Sequence, residues 1–353
     1  MIEFKIPARV CFFGDHQDYL DLPVIAGTIN RYIHLKATPT NEGIYNIYLP
    51  DIKENRVIHL NNKTIKIERD DYFLSGIKVL EQKGAKFAQG YNITISGNIP
   101  VNAGLSSSSA LVVAWIRFLI QAQEDPVRYS DLEVGQLTYT SEVLFFDQPG
   151  GLMDQYTIAQ GGLLYIDTKT TNCNTLAGKL GTLVVAESGI AKKTLSILKK
   201  GRIYAQEAIK AINNKFTDFN IQSINVDDYQ RYKNDVPKDY LPYWYAAVHN
   251  YDITKKAKKV LESKGSTMEL GFLMNSHQKI LEEYILNTPK PMIKMMQNAR
   301  AKGAIGTKII GSGGGGCMVA MVNEESKEKV IDSFLTSGAK AAYEVQLTYN
   351  SND

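Results

Sequence analysis

Gly104-Leu105-Ser106-Ser107-Ser108-Ser109-Ala110 is the stretch on which the reading of this chain turns. The segment before it, Tyr91 to Ser96, alternates apolar and polar residues like a strand. The segment after it, Leu111 to Gln121, is apolar and long enough for a buried helix. Small hydroxyl residues at a helix N-terminus leave backbone N–H groups pointing one way. They add hydroxyl donors, and the helix dipole favours negative charge there. Such a turn holds a polyphosphate and helps position its Mg²⁺. One serine before a helix is an ordinary cap. Four in a row, after Pro100 and Gly104, exceed what capping needs.

Two further stretches stand beside it. Near the N-terminus the chain reads Pro7-Ala8-Arg9-Val10-Cys11-Phe12-Phe13-Gly14-Asp15-His16-Gln17-Asp18-Tyr19. Near the C-terminus it reads Gly311-Ser312-Gly313-Gly314-Gly315-Gly316-Cys317. Glycines between strands often serve only a tight turn. Five glycines and one serine over six positions exceed what a hairpin needs. Close approach of the backbone to another object explains them better.

In order and spacing the three stretches resemble the motifs of the GHMP kinases (galactokinase, homoserine kinase, mevalonate kinase, phosphomevalonate kinase). The similarity is strongest to the galactokinase-like sugar kinase branch. Asp15-His16-Gln17-Asp18-Tyr19 resembles that branch's Glu-His-Thr-Asp-Tyr signature, and Gly150-Gly151-Leu152-Met153-Asp154-Gln155 its Gly-Ile-Met-Asp-Gln segment. Met274-Asn275-Ser276-His277, followed by Tyr284, is similar to its Ser-His helix. The resemblance spans most of the chain, from Pro7 to Val322, and is patchy between Ala191 and Tyr251. It implies an α+β, two-domain GHMP kinase fold, with an N-terminal ribosomal protein S5 domain 2-like domain and a C-terminal ferredoxin-like domain. The expected division is 1–178, carrying the serine loop, the sugar motif and the catalytic Asp, and 179–353, carrying the glycine-rich motif.

The resemblance also implies site residues. Asp154 matches the catalytic aspartate that orients the acceptor hydroxyl or takes its proton, and Arg9 an arginine that stabilises developing charge and keeps that aspartate ionised. Gly104, Leu105, Ser106, Ser107, Ser108 and Ser109, with Gly313 and Gly314, match the ATP site. Tyr72 and Phe73 resemble the segment that contacts adenine; a core helix explains them equally. Ser108 and Glu142 match the Mg²⁺ ligands, hard oxygens of the kind this ion takes. Asp15, His16, Asp18 and Gly151 match the sugar site, where carboxylates grip vicinal hydroxyls through charge-assisted hydrogen bonds. His34, His59 and His249 are read as structural.

There are departures. The branch's Glu is Asp15 here, its Thr is Gln17, and Gly150 stands where galactokinases usually carry Cys. The Gly-Gly after the tyrosine is replaced by Leu20-Asp21-Leu22-Pro23. Asp15 argues against a uronic acid, whose carboxylate it would repel.

Composition sets limits. A chain of 353 residues suits two domains, and 44% hydrophobic with 22% charged residues describes a soluble globular protein. Forty basic against 37 acidic residues, with no basic stripe, exclude nucleic acid as the expected partner. Lys192-Lys193, Lys199-Lys200 and Lys255-Lys256 read as solvated helix faces. Cys11, Cys173 and Cys317 form no CxxC, so neither a disulfide framework nor a zinc knuckle is indicated. The N-terminus, with Glu3 and Lys5, has no signal-peptide apolar region, and Arg117 breaks the longest apolar run, Ala110 to Ile120. A cytoplasmic protein without a membrane span is expected. No P-loop, kinase catalytic loop, HExxH or Gly-x-Ser-x-Gly stands in a suitable context.

Strands are expected at Ile2 to Phe13, Arg31 to Thr38, Ile44 to Leu49, Ile65 to Glu68, 91–96, 163–167, 183–186, 306–310, 317–322 and 342–349. Helices are expected at Asp71 to Lys83, 131–146, 190–213, 252–263, 268–286, 290–302 and 325–336, with an irregular tyrosine-rich stretch at 216–242. The function expected is ATP- and Mg²⁺-dependent phosphorylation of the anomeric hydroxyl of a galactose-like sugar. The alternatives are another sugar (fucose, arabinose, a uronic acid or a heptose derivative) and a catalytically silent sugar sensor. Oligomeric state is not readable.

Overall fold

The computed structural model describes residues 1–61, 66–191 and 194–349. The first sheet contains β1 (Ile2–Phe13), β2 (Val24–Thr40), β3 (Ile44–Leu49), β4 (Glu54–His59), β5 (Gly90–Gly97), β6 (Leu163–Ile166) and β7 (Cys173–Thr175). The long β2 pairs with β1 along one edge. Along the other it pairs with β6 near its start and β5 towards its end. Four helices accompany this sheet: α1 (Tyr72–Gln82), α2 (Ser107–Ala122), α3 (Asp131–Tyr139) and α4 (Met153–Gln160).

The second sheet is antiparallel, in the order β11 (Ala341–Val345), β8 (Thr182–Glu187), β10 (Cys317–Val322), β9 (Ala304–Ile309). Its helices are α5 (Thr194–Asn213), α6 (Asp227–Tyr232), α7 (Leu241–Glu262), α8 (Thr267–Ile280), α9 (Lys290–Ala301) and α10 (Lys327–Thr336). The strand order 4-1-3-2 with helical connections is the ferredoxin-like arrangement. The expected α+β class and its ferredoxin-like C-terminal part are thereby met.

β1 explains why its sequence does not alternate. Every residue from Ile6 to Phe13 is buried, because α2 and α4 of the first unit and α7 and α8 of the second all pack on it. A strand covered on both faces reads as a continuous apolar run. Pro7, which has no N–H to give the ladder, coincides with a register shift just before Arg9. Such irregularities re-aim neighbouring side chains.

Several expectations are corrected. Glu54–His59 is a strand the sequence reading missed. Of the expected strand Ile65 to Glu68, Ile65 lies outside the described residues and 66–68 are not a strand. Lys192-Lys193 also lies outside the described residues. The helix expected over 131–146 leaves α geometry after Tyr139 and makes one π turn, Thr140–Leu144. The closing strand expected over 342–349 splits: β11 ends at Val345, and residues 346–349 cross to the first sheet, where Thr348 N–H bonds the Thr28 carbonyl at 2.9 Å. The tyrosine-rich segment is a packing cluster, with Phe216, Phe219 and Tyr232 arranged around buried Trp244. Cys11 and Cys317 are buried and Cys173 is half-buried. Among the described residues no helix is long and apolar enough to cross a membrane.

Candidate active site

A cavity of about 200 Å³ lies where the two units meet. Its wall is built from the end of β1 and the turn after it, the N-termini of α2 and α4, the π turn, the 148–151 loop, and Gly311 and Ser312 of the glycine loop. Most of these are strand ends and helix starts, where backbone donors and short side chains are unpaired by secondary structure.

Arg9 and Asp154 form its centre. Arg9 is 3% exposed on β1, and Asp154 stands in the first turn of α4. The guanidinium donates through Nε to Asp154 Oδ1 at 2.7 Å and through Nη2 to Oδ2 at 2.6 Å, a bidentate pair. Its Nη1 donates to the Gly104 carbonyl at 2.7 Å, tying the pair to the serine loop. Burial disfavours the guanidinium charge, but Asp154 more than offsets it, so the Arg9 pKa lies above its ordinary value. Ser106 precedes α2 in left-handed conformation, φ 58°. Its hydroxyl caps nothing; it donates to Asp154 Oδ2.

The rest of the serine loop divides by side. Leu105 is fully buried and anchors the turn in the core. Ser107 is half-buried, Ser108 is exposed to the cavity, and Ser109 is buried. Glu142 points inward from the π turn and is 6% exposed. Gln155 donates to its Oε2 at 2.7 Å. Burial pushes the Glu142 pKa up, and hydrogen bonds from Gln155, Ser109 and Ser108 work against that. No cation pairs with this carboxylate among the described residues. One buried carboxylate beside a serine hydroxyl fits Mg²⁺, which keeps water and phosphate oxygens as its other ligands.

The glycine loop closes on the serine loop through backbone. Cys317 N–H bonds the Ala103 carbonyl at 2.7 Å, and a Cβ on Gly316, at φ 87°, would lie 2.5 Å from that oxygen. Gly314 N–H bonds the Asn287 carbonyl at 2.6 Å, and a Cβ on Gly313 would also strike Asn287.

The turn after β1 forms the opposite end. Asp15, His16 and Asp18 all line the cavity. Asp15 Oδ2 accepts from Lys308 Nζ at 2.5 Å, both side chains being buried. His16 lies near Tyr19 OH (2.8 Å, Nδ1) and the Ser312 carbonyl (3.2 Å, Nε2), so both ring nitrogens are engaged. Asp18 packs against Gly151, where a Cβ would lie 2.1 Å from its Oδ2. Burial, then the charges of Asp154 and Asp15, push the Asp18 pKa up to about 7.

The sequence matches the family model for the GHMP kinases N terminal domain over residues 71–162 and that for the GHMP kinases C terminal over 257–340. The chain belongs to the GHMP kinase family. Galactokinase of Haemophilus influenzae (strain PittGG) is 27% identical over 340 residues, covering 92% of this chain and 86% of that protein. Mevalonate kinase of Thermococcus onnurineus (strain NA1) is 27% identical over 338 residues, covering 91% and 89%. In fold, the chain is similar to the crystal structure of Lactococcus lactis galactokinase complexed with galactose, with a TM-score of 0.86 and 20% identity over 98% of this chain and 93% of that one. This GHMP kinase is a phosphotransferase.

The kinase cavity gathers Arg9, Asp15, His16, Asp18, Tyr72, Ser108, Ser109, Glu142, Gly151 and Asp154. Phe73 is a correction. It faces the core, edge-on to Trp115 at 5.0 Å, because the helical turn that brings Tyr72 to the cavity rotates Phe73 inward. Gln17 faces away too: Thr254 of α7 donates to it at 3.1 Å, which anchors the turn. Three residues that position the site went unread in the sequence. Gln155 adjoins Asp154 in a quoted motif, and Asn287 precedes a proline-bounded helix start. Lys308 is a lone cation in an apolar strand three residues before the glycine run, and that was its only signal.

Proposed function

We propose that this kinase uses ATP with Mg²⁺ to phosphorylate the anomeric (C1) hydroxyl of a galactose-like neutral hexose. The observation that carries the reading is the charge of the acceptor end. Asp15, Asp18 and Asp154 line it, and Arg9 is the only lysine or arginine among the described residues of the cavity wall. Arg9 is already committed to Asp154. Lys308 compensates Asp15 from behind but is not part of the wall. An anionic acceptor would therefore be repelled by Asp18 and Asp154 more than by Asp15. A neutral polyol supplies what these carboxylates lack, hydroxyl donors.

The serine loop and the N-terminus of α2 receive the phosphates, with Tyr72 flanking the nucleotide. Ser108 and Glu142 would hold Mg²⁺, which neutralises phosphate charge when bound. Asp154, fixed by Arg9 and Ser106, orients the C1 hydroxyl and accepts its proton. The hydroxyl oxygen bonds to the γ-phosphorus, the bond to the β-phosphate oxygen breaks, and ADP leaves with that electron pair. Asp18 and Asp15 hold ring hydroxyls, and His16 keeps the turn joined to the glycine loop.

ADP release with galactose, glucose, fucose, galacturonate and mevalonate tests the reading. Galactose is expected to exceed glucose at least ~10-fold in kcat/KM, because a wrong hydroxyl leaves a buried carboxylate without a partner. Fucose is expected within ~10-fold of galactose, since the loss of a single C6 group is worth only about 1–3 kcal/mol where no site hydrogen-bonds it. A best rate with galacturonate or mevalonate overturns the assignment.

A further inference from the structure

Asp15 and Lys308 are 293 residues apart in sequence and form an ion pair with side chains 2% and 0% exposed. Lys308 Nζ also donates to the Ile309 carbonyl at 2.7 Å, so the ammonium is held from two sides. Only one carboxylate oxygen, Oδ2, is used by the lysine. The other, Oδ1, is buried and accepts no hydrogen bond of normal geometry from the described residues; the Cys11 thiol, a weak donor, lies beside the carboxylate. A buried charged oxygen without a strong donor is costly unless something supplies one. Asp15 borders the cavity where the acceptor is proposed to sit.

We infer that Lys308 is a specificity-determining positioning residue: by occupying Oδ2 and balancing the charge of Asp15, it leaves Oδ1 as a single fixed hydrogen-bond acceptor for one hydroxyl of the substrate. The inference rests on the reading of this cavity as a hydroxyl-acceptor site. Lys308 acts from behind the wall and touches no substrate. A carboxylate clamped by one oxygen cannot swing to grip a second hydroxyl, so Asp15 reads one position while Asp18 reads another. Around Asp15 stand Lys308 of β9, His277 of α8, Cys11 and Arg9 of β1, and Asp18 and Tyr19 of its own turn. His277 is pushed to about 3 by burial and by Lys308, so it is neutral and does not replace the lysine. Burial works to raise the Asp15 pKa, and Lys308 foremost holds it below its usual value. Without that cation, burial is opposed only by the weak Cys11 donor and the remaining neighbours, and the carboxyl takes up a proton at higher pH than in the parent.

The test is the acceptor KM against pH for the parent, Lys308→Met and Asp15→Asn/Lys308→Met. The acceptor is whichever compound the parent phosphorylates in the panel above. Parent turnover on that panel reports on the proposed function; the ratio of variant to parent KM reports on Lys308. Lys308→Met is expected to raise acceptor KM ~10-fold or more at pH 7, the effect of losing a hydrogen bond to a charged group. The KM for ATP stays unchanged and kcat moves less than ~3-fold. The ratio of acceptor KM in this variant to that in the parent falls as pH rises, because the unpaired Asp15 ionises only at higher pH, while the titration of Asp18 near 7 is common to both. The double variant removes both charges, so it folds without a buried unpaired ion even where Lys308→Met does not. It is expected to show a raised acceptor KM whose ratio to the parent's does not change with pH. An acceptor KM at the parent level in the double variant, or a single variant whose KM and pH profile follow the parent's, overturns the inference.

Discussion

Asp154 accepts hydrogen bonds from two nitrogens of Arg9 and from Ser106, an arrangement that fixes a carboxylate and has no use for an amide. Asp154→Asn places an NH₂ group against the guanidinium and removes the proton acceptor. It is expected to lower kcat by ~10²-fold or more, the range of general-base catalysis. ATP affinity, measured by calorimetric titration, should stay within a few-fold of the parent. A kcat above about a tenth of the parent's removes Asp154 from the chemistry. Asp18 makes a prediction of opposite kind. Burial and its acidic neighbours raise its pKa from 3.8 to about 7. A carboxyl raised in the folded state binds its proton more tightly there than in the unfolded chain. Its share of stability is therefore full below pH 4 and is lost as pH rises through 7. Asp18→Asn removes that loss. Its Tm should exceed the parent's at pH 8, and the gain should shrink towards zero near pH 4. A gain independent of pH would mean that Asp18 is not held in a strained ionised state.

The glycine loop carries the clearest prediction at the level of elements. Gly316 faces the Ala103 carbonyl so closely that a methyl group has no space, and its φ of 87° is strained for any other residue. Gly316→Ala should push the serine loop away from the third motif. ATP KM is expected to rise ~10-fold or more with acceptor KM little changed; the two KM values measured in parallel decide it, and equal rises would mean general unfolding of the site. Elements of this kind were legible in the sequence because their chemistry is local. Serines before an apolar helix and glycines between two strands announce a turn and a close approach wherever they fold. Asp154 and Arg9 were legible only through their motifs. What stayed hidden was decided across distance. Lys308 looks like a misplaced charge in Gly306-Thr307-Lys308-Ile309-Ile310 until Asp15 is brought to it. Glu142 was named through the family resemblance alone; by residue type it looks like a helix-surface residue, and no residue type marks in advance the π turn that rotates it inward. Tyr72 and Phe73 read as one aromatic unit, yet adjacent helical positions point about 100° apart, so only one reaches the cavity. The strand Glu54–His59 was missed because it lies at the sheet edge, with only Ile58 buried and a charged start.

At the scale of the whole molecule the site depends on how the second unit is held against the first. Arg9 comes from β1 and Asp15 from the turn after it, Lys308 and Ser312 from the second unit, so any relative displacement opens the cavity. One tie lies far from the cavity. After β11 the chain leaves its own sheet, and residues 346–349 run beside β2. Thr348 N–H bonds the Thr28 carbonyl at 2.9 Å, its carbonyl accepts from Gly162 N–H at 2.9 Å and from the Thr28 hydroxyl at 2.7 Å, and Asn30 N–H bonds the Gln346 carbonyl at 3.0 Å. Leu347 packs so closely on Gly27 that a Cβ there would lie 2.9 Å from its methyl. Thr28 is fully buried, so its backbone cannot turn to water when the partner is removed. A variant ending at Val345 therefore leaves buried donors and acceptors unpaired as well as losing the bonds themselves. At about 1 kcal/mol per bond, and more where a group is left buried and unsatisfied, several kcal/mol are at stake. For a chain of this size that corresponds to a Tm lowered by roughly 5–10 °C. The loss should appear equally with and without bound ATP, since these residues lie outside the cavity wall. Differential scanning calorimetry of the shortened chain checks this. A Tm equal to the parent's would show that the core and the ties at the cavity hold the second unit, and that the return of the chain to β2 contributes nothing.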